Sequence, residues 1–142
     1  MTSRREARRT AVDILYQADI TASDPRAVLG SWIDAGRSVP SFSAELVAGV
    51  EEHQPEIDLL LEEHTEGWTV GRMAALDRTI LRVAVFELLH RPDVPVSVAI
   101  AEAVRTASDL SAEQASRFVN GILGRIAAER VPVAREEPAE ES

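Results

Sequence analysis

Between Met73 and His90 the chain carries Ile80, Leu81, Val83, Ala84, Val85, Phe86, Leu88 and Leu89. At helical spacing these side chains cover nearly the whole circumference. A helix that is apolar all round has to be buried. The remaining elements must therefore pack around this one, and Pro92 and Pro95 end it. Hydrophobic residues make up 45% of the 142, enough for a real core, but aromatics supply only 4%. Leu, Ile, Val and Ala must do the packing, which favours helices over strands.

The flanking sequence supplies the partners. A first helix is predicted from about Ser3 to Ile20, with Ala7, Ala11, Ile14, Leu15 and Ala18 as its apolar stripe. Ser23-Asp24-Pro25 is a cap followed by a proline at the first helical position, and it opens a second helix to about Gly36. Ser41 or Ser43 opens a third, with Leu46, Val47 and Val50 inward. Pro55 is expected to start a separate piece through Ile57, Leu60 and Leu61 to about Glu63. Gly67 suits a break, with Trp68 and Val70 in a short connection on the core. A helix from about Ser97 carries Ile100, Ala103, Val104 and Ala107. A last one starts at Ser111, whose spacing to Gln114 suits a capping box. The sum is an all-α fold of about seven helices. Residues 1–134 read as one domain, and residues 135–142 read as an acidic, disordered tail.

The segment Ser116–Ile126, SRFVNGILGRI, sets two rules against each other. Phe118, Val119, Ile122, Leu123 and Ile126 fall at helical spacing, while Asn120-Gly121 is a strong turn signal. The reading adopted is a continuous helix. On that reading Gly121 admits a neighbouring helix and Asn120 makes a buried hydrogen bond.

Composition narrows the chemistry. With no cysteine, disulfides and thiolate metal sites are excluded. His53, His64 and His90 are dispersed and show no metal-ligand spacing. No phosphate-cradling glycine loop, HExxH or nucleophile elbow is present, so binding is expected rather than catalysis, with no cofactor. No apolar run approaches the roughly 20 residues that span a bilayer, and a cytoplasmic protein is the simplest reading. The net charge of −9 argues against a generic nucleic-acid binder. Its distribution is uneven, however. Arg4, Arg5, Arg8 and Arg9 cluster at the start of the first helix, where cations oppose the helix dipole. Either they are a solvated helix start or they form a phosphate-binding patch. By residue type and spacing alone, Phe118 reads as a core aromatic, Tyr16 as a half-buried ring, and Asp77 as a helix cap.

Three stretches taken together resemble the NusB family of bacterial transcription antitermination factors. They are RREARRTAVDILYQADI (Arg4–Ile20), LDRTILRVAVFELLHRPDVPVSVAIAEAV (Leu76–Val104) and SRFVNGIL (Ser116–Leu123). The resemblance implies two small packed helical bundles. It also implies binding to boxA-type single-stranded RNA of rRNA leader transcripts, together with the ribosomal protein NusE, within an RNA polymerase antitermination complex. By position, Arg4, Arg5, Arg8, Arg9, Tyr16, Gln114 and Phe118 match the family's RNA-facing residues. Asp77, Glu87 and Arg91 match the face that meets NusE. Some family members self-associate through the RNA surface, so a homodimer is an expected alternative partner. The sequence departs from the family pattern at Ala101, Ser108 and Gly124. A helical protein-binding adaptor with little RNA affinity is the competing reading. The RNA reading requires the N-terminal arginines and Phe118 to share one solvent-facing patch, brought together by packing between the first and last helices.

Overall fold

A computed structural model describes residues 3–67 and 69–131. Trp68 and the acidic tail at 135–142 lie outside the described residues, and so do the expectations placed on them. Among those described there are six α-helices and one 3-10 turn. They are α1 (Arg4–Ile20), α2 (Pro25–Asp34), α3 (Ser41–Glu63), the 3-10 turn Val70–Arg72, α4 (Ala75–His90), α5 (Val96–Leu110) and α6 (Glu113–Arg130). Helices α1, α2 and α3 pack on one another, as do α4, α5 and α6. The two bundles join where α4 meets α1 and α3.

Side-chain caps set the starts of α1 and α2. Ser3 Oγ accepts from the Glu6 amide at 3.1 Å, and the Ser3 amide donates to Glu6 Oε1 at 3.3 Å, a reciprocal cap on α1. Asp24 accepts from the Arg26 amide at 3.0 Å, with Pro25 at the first position of α2. After α3, Gly67 takes φ +95°, the left-handed region that glycine enters without a Cβ penalty. Helix α4 is the inner element its composition requires: every residue from Thr79 to Leu88 is buried. The core continues through Ile14, Leu46, Ile57, Leu61, Ile122 and Leu123, all at most 1% exposed.

Three local expectations are corrected. Pro55 does not start a helix; it lies inside α3, which runs unbroken for 23 residues. An interior proline removes one hydrogen bond and costs about 3 kcal/mol. Leu46, Val50, Ile57 and Leu61 nonetheless form one continuous buried stripe across it, so burial outweighs the break. Ser111 does not cap α6. It ends α5, and its hydroxyl lies 3.1 Å from Asp77 Oδ1, while Ala112 precedes α6 without a side-chain cap. Helix α6 does continue through Asn120-Gly121, but not for the anticipated reason. Asn120 is exposed, with no side-chain hydrogen bond to the described residues, and a Cβ on Gly121 would meet only Arg125 Nη1 at 3.6 Å. The flanking Val119, Ile122, Leu123 and Ile126, at most 1% exposed, hold the helix together.

The glycine that permits close approach is Gly49, in α3. A Cβ there would clash with the outer edge of the Phe86 ring on α4. The missing side chain therefore sets the spacing of the seam between the two bundles.

Candidate nucleic-acid interface

The four N-terminal arginines all reach carboxylates far along the chain. Arg4 Nη2 donates to Asp93 Oδ2 at 3.2 Å, and Arg5 forks onto Glu102 at 2.9–3.3 Å. Arg9 Nη2 meets Asp109 Oδ2 at 3.0 Å. Arg8 forks onto Glu87 at 2.8–3.0 Å, and this pair is buried, with side chains 9% and 1% exposed. The helix-dipole conflict at the start of α1 is thus offset by fixed acids on α4, on α5 and in the loop between them. The hydrogen bonds from Arg5 hold the Glu102 carboxyl below the usual carboxylate range. The fork from Arg91, helped by Arg4, does the same to Asp93, more strongly.

Three candidate residues are held by internal bonds. Arg8 and Glu87 are buried and occupied with each other. Arg91 is engaged internally as well. It forks onto Asp93 at 2.9 and 3.0 Å, bonds Glu45, and lies 5.1 Å from the centre of the Phe42 ring, which Arg4 and Arg8 also cover at 4.2 and 5.3 Å. Charge-assisted forks of this kind fix orientation as well as adding energy.

Phe118 behaves differently. It is 38% exposed on α6, although Val119, Ile122 and Leu123 just after it are core. It stands between two open grooves. One, of about 560 Å³, is lined by Arg72, Met73, Asp77, Ser111, Gln114 and Phe118 among others. The second, of about 310 Å³, is lined by His64, Thr65, Glu66, Phe118 and Arg125. Asp77, assigned by resemblance to the partner face, thus shares a groove with Gln114 and Phe118, assigned to the RNA face.

The packing expected between α1 and α6 is not what connects the two regions. Helix α1 packs on α2, α3 and α4, while α6 packs on α5 and α4. The link runs through the α5–α6 junction: Arg9 holds Asp109, two residues before Ser111 at the groove edge. Arg5, Arg9 and Tyr16 share one stripe of α1 by helical spacing, and Tyr16 is 37% exposed. Arg4 points instead toward the α4–α5 loop. Sequence reasoning missed Arg72 and Arg125, the cations that line the two grooves. Arg72 is exposed and forms no ion pair with the described residues; the Gly71-Arg72 turn gave no periodic signal to find it by.

Comparison with known proteins places these features in context. The family model described as the NusB family matches residues 5–128. The chain is 42% identical over 139 residues to the transcription antitermination protein NusB of Acidothermus cellulolyticus, covering 97% of this chain and 96% of the relative. It is 46% identical over 130 residues to that of Saccharopolyspora erythraea, covering 89% and 88%. Among solved structures, NusB from T. maritima superposes with a TM-score of 0.84 at 32% identity, covering 94% and 96%. A structure of antitermination factors NusB and NusE in complex with dsRNA superposes with a TM-score of 0.79 at 25% identity, covering 89% and 96%. An inner α4, two three-helix bundles and a match spanning nearly the whole chain lead to one conclusion: this chain belongs to the NusB family.

Proposed function

We propose that the protein is a transcription antitermination factor that binds boxA-type RNA of rRNA leader transcripts together with NusE, in the cytoplasm, and that its role is binding rather than catalysis. The observation that carries this reading is the exposed Phe118 ring between two grooves, on a chain of NusB fold. Single-stranded RNA is held by cations along its backbone and aromatic faces under its bases. Phe118 is the stacking platform, Arg72 and Arg125 flank it, and Gln114 offers an amide to a base edge. Arg5, Arg9 and Tyr16 extend the surface along α1, with Arg4 at its end, and Asp77 marks where NusE and RNA sites meet.

The arginine pairing explains why a partner is needed. A phosphate approaching Arg5 or Arg9 has to compete with Glu102 or Asp109. On a chain of net charge −9, that leaves modest RNA affinity alone. NusE supplies the additional contacts.

The test is RNA binding by fluorescence anisotropy, with and without NusE, at about 50 and 200 mM salt. Affinity is expected to rise with NusE and to fall steeply with salt. Phe118→Ala is expected to weaken RNA binding by about 5- to 150-fold, the equivalent of one lost stacked base at roughly 1–3 kcal/mol. Undiminished NusE binding with no salt-dependent RNA binding would instead establish the protein-binding adaptor.

A further inference from the structure

The sequence scatters its histidines, but the fold brings two of them together. His53 and Glu56 are one turn apart on α3, and His90 is the last residue of α4. The two imidazoles stack with centroids 3.8 Å apart and planes 19° from parallel. Both address the same carboxylate oxygen: His90 Nε2 lies 2.9 Å from Glu56 Oε1, and His53 Nδ1 lies 3.6 Å from it. One ligand atom from each residue fits within 4.8 Å of the other two. Phe86 stacks behind the pair, at 5.9 Å from His53 and 5.7 Å from His90.

We infer that His53, Glu56 and His90 form a binding site for a divalent transition cation of the zinc class. A proton bridges two of these three atoms at a time, whereas a metal ion bridges all three. Zinc takes nitrogen and carboxylate oxygen ligands at about 2.0–2.2 Å, so ligand atoms in a tetrahedral site lie on the order of 3.3 Å apart. The two distances to Glu56 Oε1 already bracket that separation. Two imidazoles and one carboxylate match the donor set of open zinc sites, in which water takes the fourth position. The side chains of His53, Glu56 and His90 are 30%, 46% and 30% exposed, which gives both ion and water a route in. Binding requires the imidazoles to swivel about their Cβ–Cγ bonds until their lone pairs converge, and their exposed edges permit that. The ligands sit on two rigid helices, and Phe86 backs them. Occupancy clamps α3 to α4 and so ties one bundle to the other, at a site remote from Phe118 and independent of the RNA reading.

The experiment uses the full chain after treatment with a chelator. Zinc chloride is titrated in by calorimetry, and Co²⁺ is added separately to read the ligand field from its visible absorption. One equivalent is expected to bind, with Co²⁺ bands that a chelator abolishes. His53→Ala and His90→Ala should each weaken binding by at least about tenfold, since even outer-sphere partners of metal ligands contribute that much. His64→Ala should not. Because a variant can lose its fold, nitrogen chemical shifts of the imidazoles are followed in the parent protein. Zinc is expected to move those of His53 and His90 and to leave His64 unchanged. The proposal is overturned by the absence of saturable uptake, by shifts confined to His64, or by parental affinity in a folded His53→Ala/His90→Ala double variant.

Discussion

The start of α1 and the groove around Phe118 carry the same kind of promise in the sequence and very different structures. The first is rich in charge, and all four of its guanidinium groups are matched to acids 79 to 100 residues away. The second is nearly neutral in composition, yet it presents an exposed ring and an Arg72 that forms no ion pair with the described residues. A cluster of charges is therefore not the same as available charge. Arginines on α1 serve first as ties to α4, to α5 and to the loop that joins them. The ring on α6 has no comparable internal task.

The sharpest way to break this contrast is to remove one half of the buried tie. Glu87→Ala strands the Arg8 guanidinium inside the protein and is expected to destabilise it by about 3–5 kcal/mol, read by urea unfolding. Replacing both partners together, Arg8→Met with Glu87→Leu, should recover most of that loss, because apolar isosteres remove both desolvation costs. Next in size is Phe118→Ala. It should lower affinity for RNA with NusE within the range set by one stacked base, while the unfolding midpoint stays close to that of the parent. A midpoint that falls as far as for Glu87→Ala would mean that the ring belongs to the core.

Acid should separate the regions more gently. Glu102 and Asp93 have folded-state pKa values below their unfolded ones. Such groups contribute stability that is fully present above the unfolded value, about 4, and is lost as pH falls through the folded one. Stability measured from pH 6 downward is therefore expected to decline below about pH 4, and Glu102→Gln should flatten part of that decline. The smallest expected effect sharpens the contrast instead. Glu102→Gln or Asp109→Asn frees one arginine, Arg5 or Arg9, and should tighten RNA binding a few-fold at low salt, by roughly the small amount typical of surface ion pairs. No change in affinity would take Arg5 and Arg9 out of the interface.

The sequence reveals elements whose signals are local. Asp24-Pro25 fixes the start of α2, and the unbroken apolar run fixes α4 as the inner helix. Pro55 misleads because the stripe formed by Leu46, Val50, Ile57 and Leu61 continues across it, and a local rule has no knowledge of burial. Asn120-Gly121 is read correctly as helix but with the wrong cause, since Asn120 faces solvent. The site was less legible than the fold. Exposure of Phe118 came through resemblance rather than periodicity, which alone would have buried it. Burial of Arg8 with Glu87, and convergence of His53 with His90, depend on contacts dozens of residues apart that no spacing rule reports.

One absent methyl group ties residue 49 to residue 86. Since the Phe86 ring occupies the space that any side chain at residue 49 would need, enlargement at one position is admissible only with shrinkage at the other. Residues 49 and 86 should therefore vary together among homologues, as a single inherited unit.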